Sequence, residues 1–124
     1  MIENFKAIKE GDFIYKYHTN SLDEPIVTRF KVTKIRKHNL DYMNISLIDS
    51  TKRIKEMISV PLFYQYRDAY SYYFLSRDKL RDIIESEVKR YKEIVRFIDR
   101  TGAKAYYMKK GYQTNKALKT LLVL

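Results

Sequence analysis

Residues 76–102 constrain the fold of this chain most strongly, because their apolar side chains recur at helical spacing. A stripe of six residues repeats at intervals of three or four positions: Leu80, Ile84, Val88, Tyr91, Val95 and Ile98. Such a stripe is the apolar face of an amphipathic helix. Ser76 can cap the first turn because its hydroxyl accepts from a free backbone N–H, and Gly102 can take the left-handed conformation that ends many helices. The pattern predicts one long helix over residues 76–102.

The polar face of this helix carries both signs of charge, which bears on what the helix does. Residues 77–100 contain eight Lys or Arg and six Asp or Glu, so their net charge is only +2. A DNA recognition helix is expected to be more strongly basic, since it meets phosphates. Mixed charges at helical spacing are typical of a face that contacts water. We therefore expect the apolar stripe to pack on the chain's own sheet, rather than to form a recognition helix or a coiled-coil seam.

The part of the chain before the helix reads as strands. Alternating or β-branched runs predict five of them, over residues 12–18, 26–38, 40–48, 54–60 and 70–74. In the second run Ile35 has the opposite parity from Phe30 and Val32, so a bulge near Thr33 and Lys34 is expected to restore the face. Five short strands, one of them bent, predict a strongly curved antiparallel sheet or a small barrel.

The segment after the long helix is less regular. Gly111 is expected to break it, and residues 115–124 predict a short helix with four apolar residues on one side, namely Ala117, Leu118, Leu121 and Leu122. An apolar cluster of this kind is unfavourable in water. We expect it to be buried, either on the long helix or across a homodimer contact.

Length and composition indicate a single domain of the α+β class. The chain has 124 residues, enough to bury a core without disulfides, and it has no Cys. The expected layout is a sheet or barrel over residues 11–75, the long helix over residues 76–102 and a basic tail over residues 103–124. The sequence shows neither a signal peptide nor the ~20 apolar residues of a membrane span, so a cytoplasmic location is expected.

Three short segments resemble a known group of proteins. They are Gly11 and Asp12 before the first strand, residues 32–35 (Val-Thr-Lys-Ile) in the second, and the strand-to-helix junction at Leu75 and Ser76. Over residues 11–98 the chain resembles small SH3-like barrel proteins encoded by bacteriophages. The resemblance implies an SH3-like fold and a phage or mobile-element origin, and it implies no activity.

The net charge of +10 is distributed unevenly along the chain. Residues 1–25 have a net charge of −2, whereas residues 26–58 and residues 101–124 each have +5. A clustered basic excess is typical of a protein that binds a polyanion. Candidate contact residues are Arg29, Lys31, Lys34, Arg36, Lys37, Tyr42, Lys52, Arg53, Lys104, Lys109 and Lys110. Cations can hold a phosphate backbone while bases stack on aromatic rings, so the sequence predicts a DNA- or RNA-binding module of low sequence specificity.

Other functions are also open. A protein-interaction module that docks on and inhibits a host protein would use exposed tyrosines, which are favoured in interfaces. Its candidates are Tyr64, Tyr66, Tyr70, Tyr72 and Tyr73. Residues 104–124, where basic and apolar side chains mix, are compatible with binding to a membrane surface. With two His, three Gly and no Cys, the chain offers no recognisable catalytic constellation, so we expect no enzyme activity, metal or cofactor.

Overall fold

The computed structural model describes residues 7–39, 42–49, 51, 53–61 and 71–124, which form five strands followed by two helices. The strands are β1 (Phe13–Thr19), β2 (Pro25–Asn39), β3 (Tyr42–Asp49), β4 (Ile54–Pro61) and β5 (Ser71–Phe74), and the helices are α1 (Arg77–Phe97) and α2 (Thr101–Leu122). Neighbouring strands are antiparallel, in the order β4-β3-β2-β1-β5. The predicted α+β class, an antiparallel sheet followed by helices, is confirmed.

β2 is bent where it carries one residue more than the partner strand β3, and a second register shift lies between Lys37 and Asn39. The register shifts between Val32 and Lys34, so Thr33 is the additional residue. This is the bulge expected from the parity of the apolar residues. It returns Ile35 to the side of the sheet on which Val32 lies.

One side of the sheet, which we call the inner face, closes around its own core. Its buried side chains are Ile14, Phe30, Val32, Met43, Ile45, Leu47, Ile58 and Tyr73, each at most 4% exposed. These residues come from all five strands, including the two strands at the edges. A flat sheet cannot bring its two edges into one cluster, so the sheet is strongly curved.

The two ends of the sheet are joined by side chains. Lys16 of β1 donates from Nζ to Oε1 of Glu56 in β4 at 2.8 Å, and Tyr73 of β5 donates its hydroxyl to Oε2 of Glu56 at 3.1 Å. β4 and β5 lie at opposite ends of the strand order, so these bonds connect edges that share no backbone ladder. Of the two predicted architectures, the structure has the curved open sheet and not the closed barrel.

Replacing Glu56 with glutamine is expected to lower the free energy of unfolding by roughly 1–3 kcal/mol. Glutamine has one acceptor oxygen where glutamate has two, so it cannot reproduce both separate bonds from Lys16 and Tyr73. It also removes the charge that neutralises the Lys16 ammonium, whose side chain is only 15% exposed. Urea unfolding measures the difference. Glu85→Gln is the matched control, because it makes the same change in net charge at an exposed position of α1. Equal losses in both variants would show that the pair does not hold the ends of the sheet together.

The helices cover part of the opposite side of the sheet, the outer face, where α1 contacts β1 and β5 and α2 contacts β2. The second buried cluster consists of Val27, Phe74, Leu80, Ile84, Val88, Ala117 and Leu121. Ser76 caps α1 as predicted, its hydroxyl accepting from the backbone N–H of Lys79 at 3.3 Å. The first three residues of the predicted stripe are buried, whereas Val95 and Ile98 are half-buried.

The helical region is divided differently from the prediction. α1 ends at Phe97, residues 98–100 form the connection, and Gly102 lies in the first turn of α2 instead of ending the first helix. The predicted bounds of residues 76–102 are therefore wrong at their C-terminal end. A single apolar stripe continues to Ile98, so the period alone gives no signal for the turn.

Gly111 does not break the second helix, which is 22 residues long and extends from Thr101 instead of from residue 115. A Cβ added at Gly111 would lie 3.4 Å from the Cβ of Tyr91, so the glycine faces α1 at a close approach. Packing between the helices outweighs the low helix propensity of glycine, roughly 1 kcal/mol. The predicted break at Gly111 was wrong because sequence period does not reveal this contact.

Two of the four apolar residues near the C-terminus, Ala117 and Leu121, are buried within the chain, the first of the two expected alternatives. Leu121 is fully buried and Ala117 is 4% exposed, both against α1 and the sheet. Leu118 is partly buried at the same cluster, and Leu122 is 49% exposed. The segment predicted as a basic tail is therefore an integral layer of the fold.

Candidate nucleic-acid interface

A row of cations lies along the outer face of β2 and continues onto β4. The strand register and the bulge place Arg29, Lys31, Lys34 and Arg36 on the same side of β2, although one residue is inserted among them. Across the sheet, Lys31 pairs with Ile48, and Ile48 pairs with Lys55. The side chains of Lys31, Lys34, Arg36 and Lys55 are exposed, and that of Arg29 is half-buried. We name these five residues the basic outer face.

The acidic side chains of the neighbouring strands point away from this surface. In the described residues of β2, β3 and β4, the carboxylates belong to Asp49 and Glu56. Asp49 is 7% exposed and accepts from the backbone N–H of Thr51 at 3.1 Å, while Glu56 binds Lys16 on the inner face. The sheet thus separates its charges: among the described residues of β2, β3 and β4, no acidic side chain lies on the basic outer face.

An aromatic ring lies beside these cations. The guanidinium carbon of Arg29 is 4.5 Å from the centroid of the Phe13 ring, and Phe13 is 42% exposed. Phe13 is also the register partner of Lys31. A guanidinium over a ring is a favourable cation–π arrangement, and it gives the basic outer face an exposed flat surface. Phe13 is not among the predicted contact residues, although its alternation with Tyr15 and Tyr17 indicates that these three side chains share one side of β1.

No family model, curated protein or solved structure matches this chain. These comparisons therefore identify no relative that would support the resemblance to phage-encoded SH3-like barrels. The function has to be argued from the geometry of the site.

The other predicted basic residues lie apart from one another. Lys37 is exposed near the end of β2, and Arg53 is exposed in the β3–β4 turn with a left-handed φ of 55°. Lys104 and Lys109 are exposed on α2, and Lys110 donates to both the carboxylate and the backbone carbonyl of Asp23. Lys110 is therefore engaged within the protein. The predicted residue Lys52 and the side chain of the predicted Tyr42 lie outside the described residues.

Of the tyrosines predicted to form an alternative protein interface, the structure describes the side chain of Tyr73 alone. Tyr73 is 3% exposed on the inner face and donates to Glu56, so it cannot anchor a partner. Tyr72 belongs to β5, but its side chain lies outside the described residues, as do Tyr64, Tyr66 and Tyr70. The expectation for Tyr73 is corrected, because the alternation of β5 turns this residue inward.

In the described parts of the chain, no three side chains of His, Asp or Glu are grouped so that they could hold a metal ion. Neither α1 nor α2 is long and apolar enough to cross a membrane.

Proposed function

We propose that this protein binds nucleic acid through its phosphate backbone, with low sequence specificity, on the basic outer face. The observation that carries the proposal is the clustering of exposed Lys and Arg on one sheet surface whose neighbouring acids are turned inward. Such a surface has a directed positive field that attracts a polyanion. A cytoplasmic location belongs to the same proposal, as does a phage origin, which rests on the SH3-like resemblance alone.

The spacing of these cations suits a backbone that runs along β2. Residues two positions apart on one side of a strand are about 7 Å from each other, and Lys and Arg side chains are long enough to adapt to successive phosphates. Affinity then comes largely from the release of counterions. Asn44, the register partner of Arg36, already accepts from the Ser59 hydroxyl. Base edges are read by Asn, Gln or bidentate Arg side chains, and with this amide engaged inside the sheet we expect low specificity.

The Phe13–Arg29 pair adds a preference for unpaired bases. An exposed ring beside a phosphate-binding groove can stack on a base of a single strand, and such stacking tolerates any sequence. Bases in a duplex are already stacked and do not offer this contact. Single-stranded DNA or RNA is therefore expected to bind at least as tightly as a duplex of equal length.

The test is a double charge reversal, Lys31→Glu with Arg36→Glu, because both side chains are exposed and neither contributes to a buried cluster. Binding to single- and double-stranded oligonucleotides is measured by fluorescence anisotropy at several salt concentrations. The slope of log affinity against log salt is expected to fall in magnitude by about 2, one unit for each lost phosphate contact. Circular dichroism checks that the variant is folded.

The matched control is Lys104→Glu with Lys109→Glu, which makes the same change in net charge at exposed positions of α2. This control should keep most of the affinity and the salt slope. Equal weakening by both double variants would show that only the net charge matters and not the basic outer face. Failure of the unmodified protein to bind more tightly than ~10⁻⁴ M at low salt, the weak limit of non-specific DNA binding, would remove the proposal.

A second candidate function is binding to a partner protein, and it has a specific observation in its favour. An apolar groove of about 450 Å³ lies between α1 and α2, lined by Val88, Val95, Tyr107, Met108 and Tyr112 among others. Its charged lining residues are Lys92 and Arg96. An amphipathic helix with acidic residues beside its apolar face would fit both features. Such a complex would depend less on salt than a nucleic-acid complex, because apolar contacts would contribute much of its affinity.

A further inference from the structure

A polar cavity lies between the end of the β1–β2 hairpin and the two helices, separate from the basic outer face. Its volume is about 290 Å³. The lining combines the rings of Tyr17, Tyr91 and Tyr106 with the carboxylates of Asp23 and Glu87, the Lys110 ammonium group and the His18 imidazole. The cavity volume is close to the lower end of the range for small-molecule sites, roughly 300 Å³.

One of the two carboxylates already binds an ammonium group of the protein. Lys110 donates to the carboxylate and the carbonyl of Asp23, and its Nζ lies 5.8 Å from the centroid of the Tyr106 ring. Its side chain is only 13% exposed. This wall of the cavity therefore shows that a carboxylate and a tyrosine ring together hold a cation in this place.

The other carboxylate lacks such a partner in the described part of the chain. Glu87 accepts from the Tyr17 hydroxyl at 2.7 Å, and none of the ion pairs between described residues includes it. Burial, and then the nearby Glu87 charge, raise the pKa of the Tyr17 hydroxyl above its ordinary value. Tyr17 consequently stays protonated and donates a single hydrogen bond, so among the described residues no group neutralises the negative charge of Glu87.

We propose that this cavity binds a small organic cation with an ammonium group, held by the Glu87 carboxylate and surrounded by the rings of Tyr17, Tyr91 and Tyr106. Aromatic faces and a carboxylate are the groups that recognise ammonium ligands. Binding of an anionic ligand is disfavoured for two reasons. Lys110 is already neutralised by Asp23, and the Glu87 carboxylate would repel an anion. The cavity and the basic outer face thus select opposite charges, and this proposal does not depend on nucleic-acid binding.

The experiment uses choline chloride as the probe and 3,3-dimethylbutan-1-ol as its uncharged counterpart of the same shape. Backbone and tyrosine ring resonances of the full chain are followed by NMR up to ~10 mM ligand, a range suited to a ligand of so few atoms. Choline is expected to give saturable shifts at Tyr17, Tyr91 and Tyr106. The alcohol, and sodium chloride at equal ionic strength, are expected to give none at these residues.

Two variants test the role of the carboxylate. Glu87→Gln keeps an acceptor for Tyr17 but removes the charge, and it is expected to weaken choline binding about tenfold, since the Coulomb attraction between the carboxylate and the trimethylammonium group is lost. Glu93→Gln removes the same charge from an exposed position of α1 outside the cavity and should leave choline binding unchanged. Tyr106→Leu, at a residue that is 51% exposed, should weaken it about fivefold; this variant supplies a second test if Glu87→Gln lowers the melting temperature.

Three results would overturn the proposal. The first is the absence of saturable choline shifts at the cavity. The second is equal binding of the alcohol, which would show that the cavity selects shape without charge. The third is unchanged choline affinity in both folded Glu87→Gln and folded Tyr106→Leu.

Discussion

Replacing Ile84 with alanine is expected to lower the free energy of unfolding by about 2–5 kcal/mol. Ile84 is fully buried where α1, α2 and the outer face of the sheet meet, in the same cluster as Val27, Phe74 and Leu121. Alanine would remove apolar contacts and leave a cavity among elements that cannot all relax toward it. The loss therefore includes a cavity contribution beside the transfer of the missing atoms to water.

Glu85→Ala is the control for this substitution, because Glu85 follows Ile84 in the same helix but is exposed. It should cost only about 0.3 kcal/mol, the size of one charged pair on a helix surface. Urea unfolding monitored by circular dichroism measures both variants. Similar losses for Ile84→Ala and Glu85→Ala would mean that α1 is not docked on the sheet through its apolar stripe.

Leu121→Ala is expected to produce the second large loss of stability, again about 2–5 kcal/mol. Leu121 is fully buried near the end of α2, whereas the adjacent Leu122 is 49% exposed. The two leucines therefore form a matched pair with the same chemistry and helix position but different burial. Leu122→Ala should cost less than half as much, since much of its surface is already in water.

This comparison tests whether the C-terminal segment is part of the cooperative fold. If α2 is docked on the rest of the fold, Leu121→Ala lowers the midpoint of a single urea transition. If both leucine variants unfold like the unmodified protein, α2 is an independent appendage, as the predicted basic tail would have been. Sedimentation of the Leu122→Ala variant also shows whether that exposed leucine mediates self-association.

The local features of the fold could be predicted because each is encoded by neighbouring residues. The parity of Val32 and Ile35 revealed the bulge in β2, and the spacing of Leu80, Ile84 and Val88 revealed the buried side of α1. Ser76 was identified as the N-cap from its hydroxyl and the helical pattern that follows it. These inferences depend only on the strand period, the helix period and the unpaired N–H groups of a first turn.

The features that were missed depend on contacts between distant parts of the chain. Gly111 was read as a helix breaker because its propensity is local, while its close approach to Tyr91 is a property of the folded pair of helices. Glu56 meets Lys16 only after the sheet curls, 40 positions apart in sequence. The candidate site was predicted in the same partial way: the cations of β2 were named, but Lys55 and Phe13 join them only through the strand register.

The Lys16–Glu56–Tyr73 bonds have a consequence for how the protein behaves at high concentration. A strand at the edge of a sheet presents backbone N–H and C=O groups that can pair with a strand from another molecule, and this is a common start of aggregation. In this protein the Tyr73–Glu56 bond joins the two edge strands, and the Lys16–Glu56 ion pair joins edge strand β4 to β1. A strand that entered between the two edges would have to separate Glu56 from Tyr73 and from Lys16, whose side chain is only 15% exposed. The same three side chains that join the ends of the sheet therefore also protect its edges from pairing with a second chain.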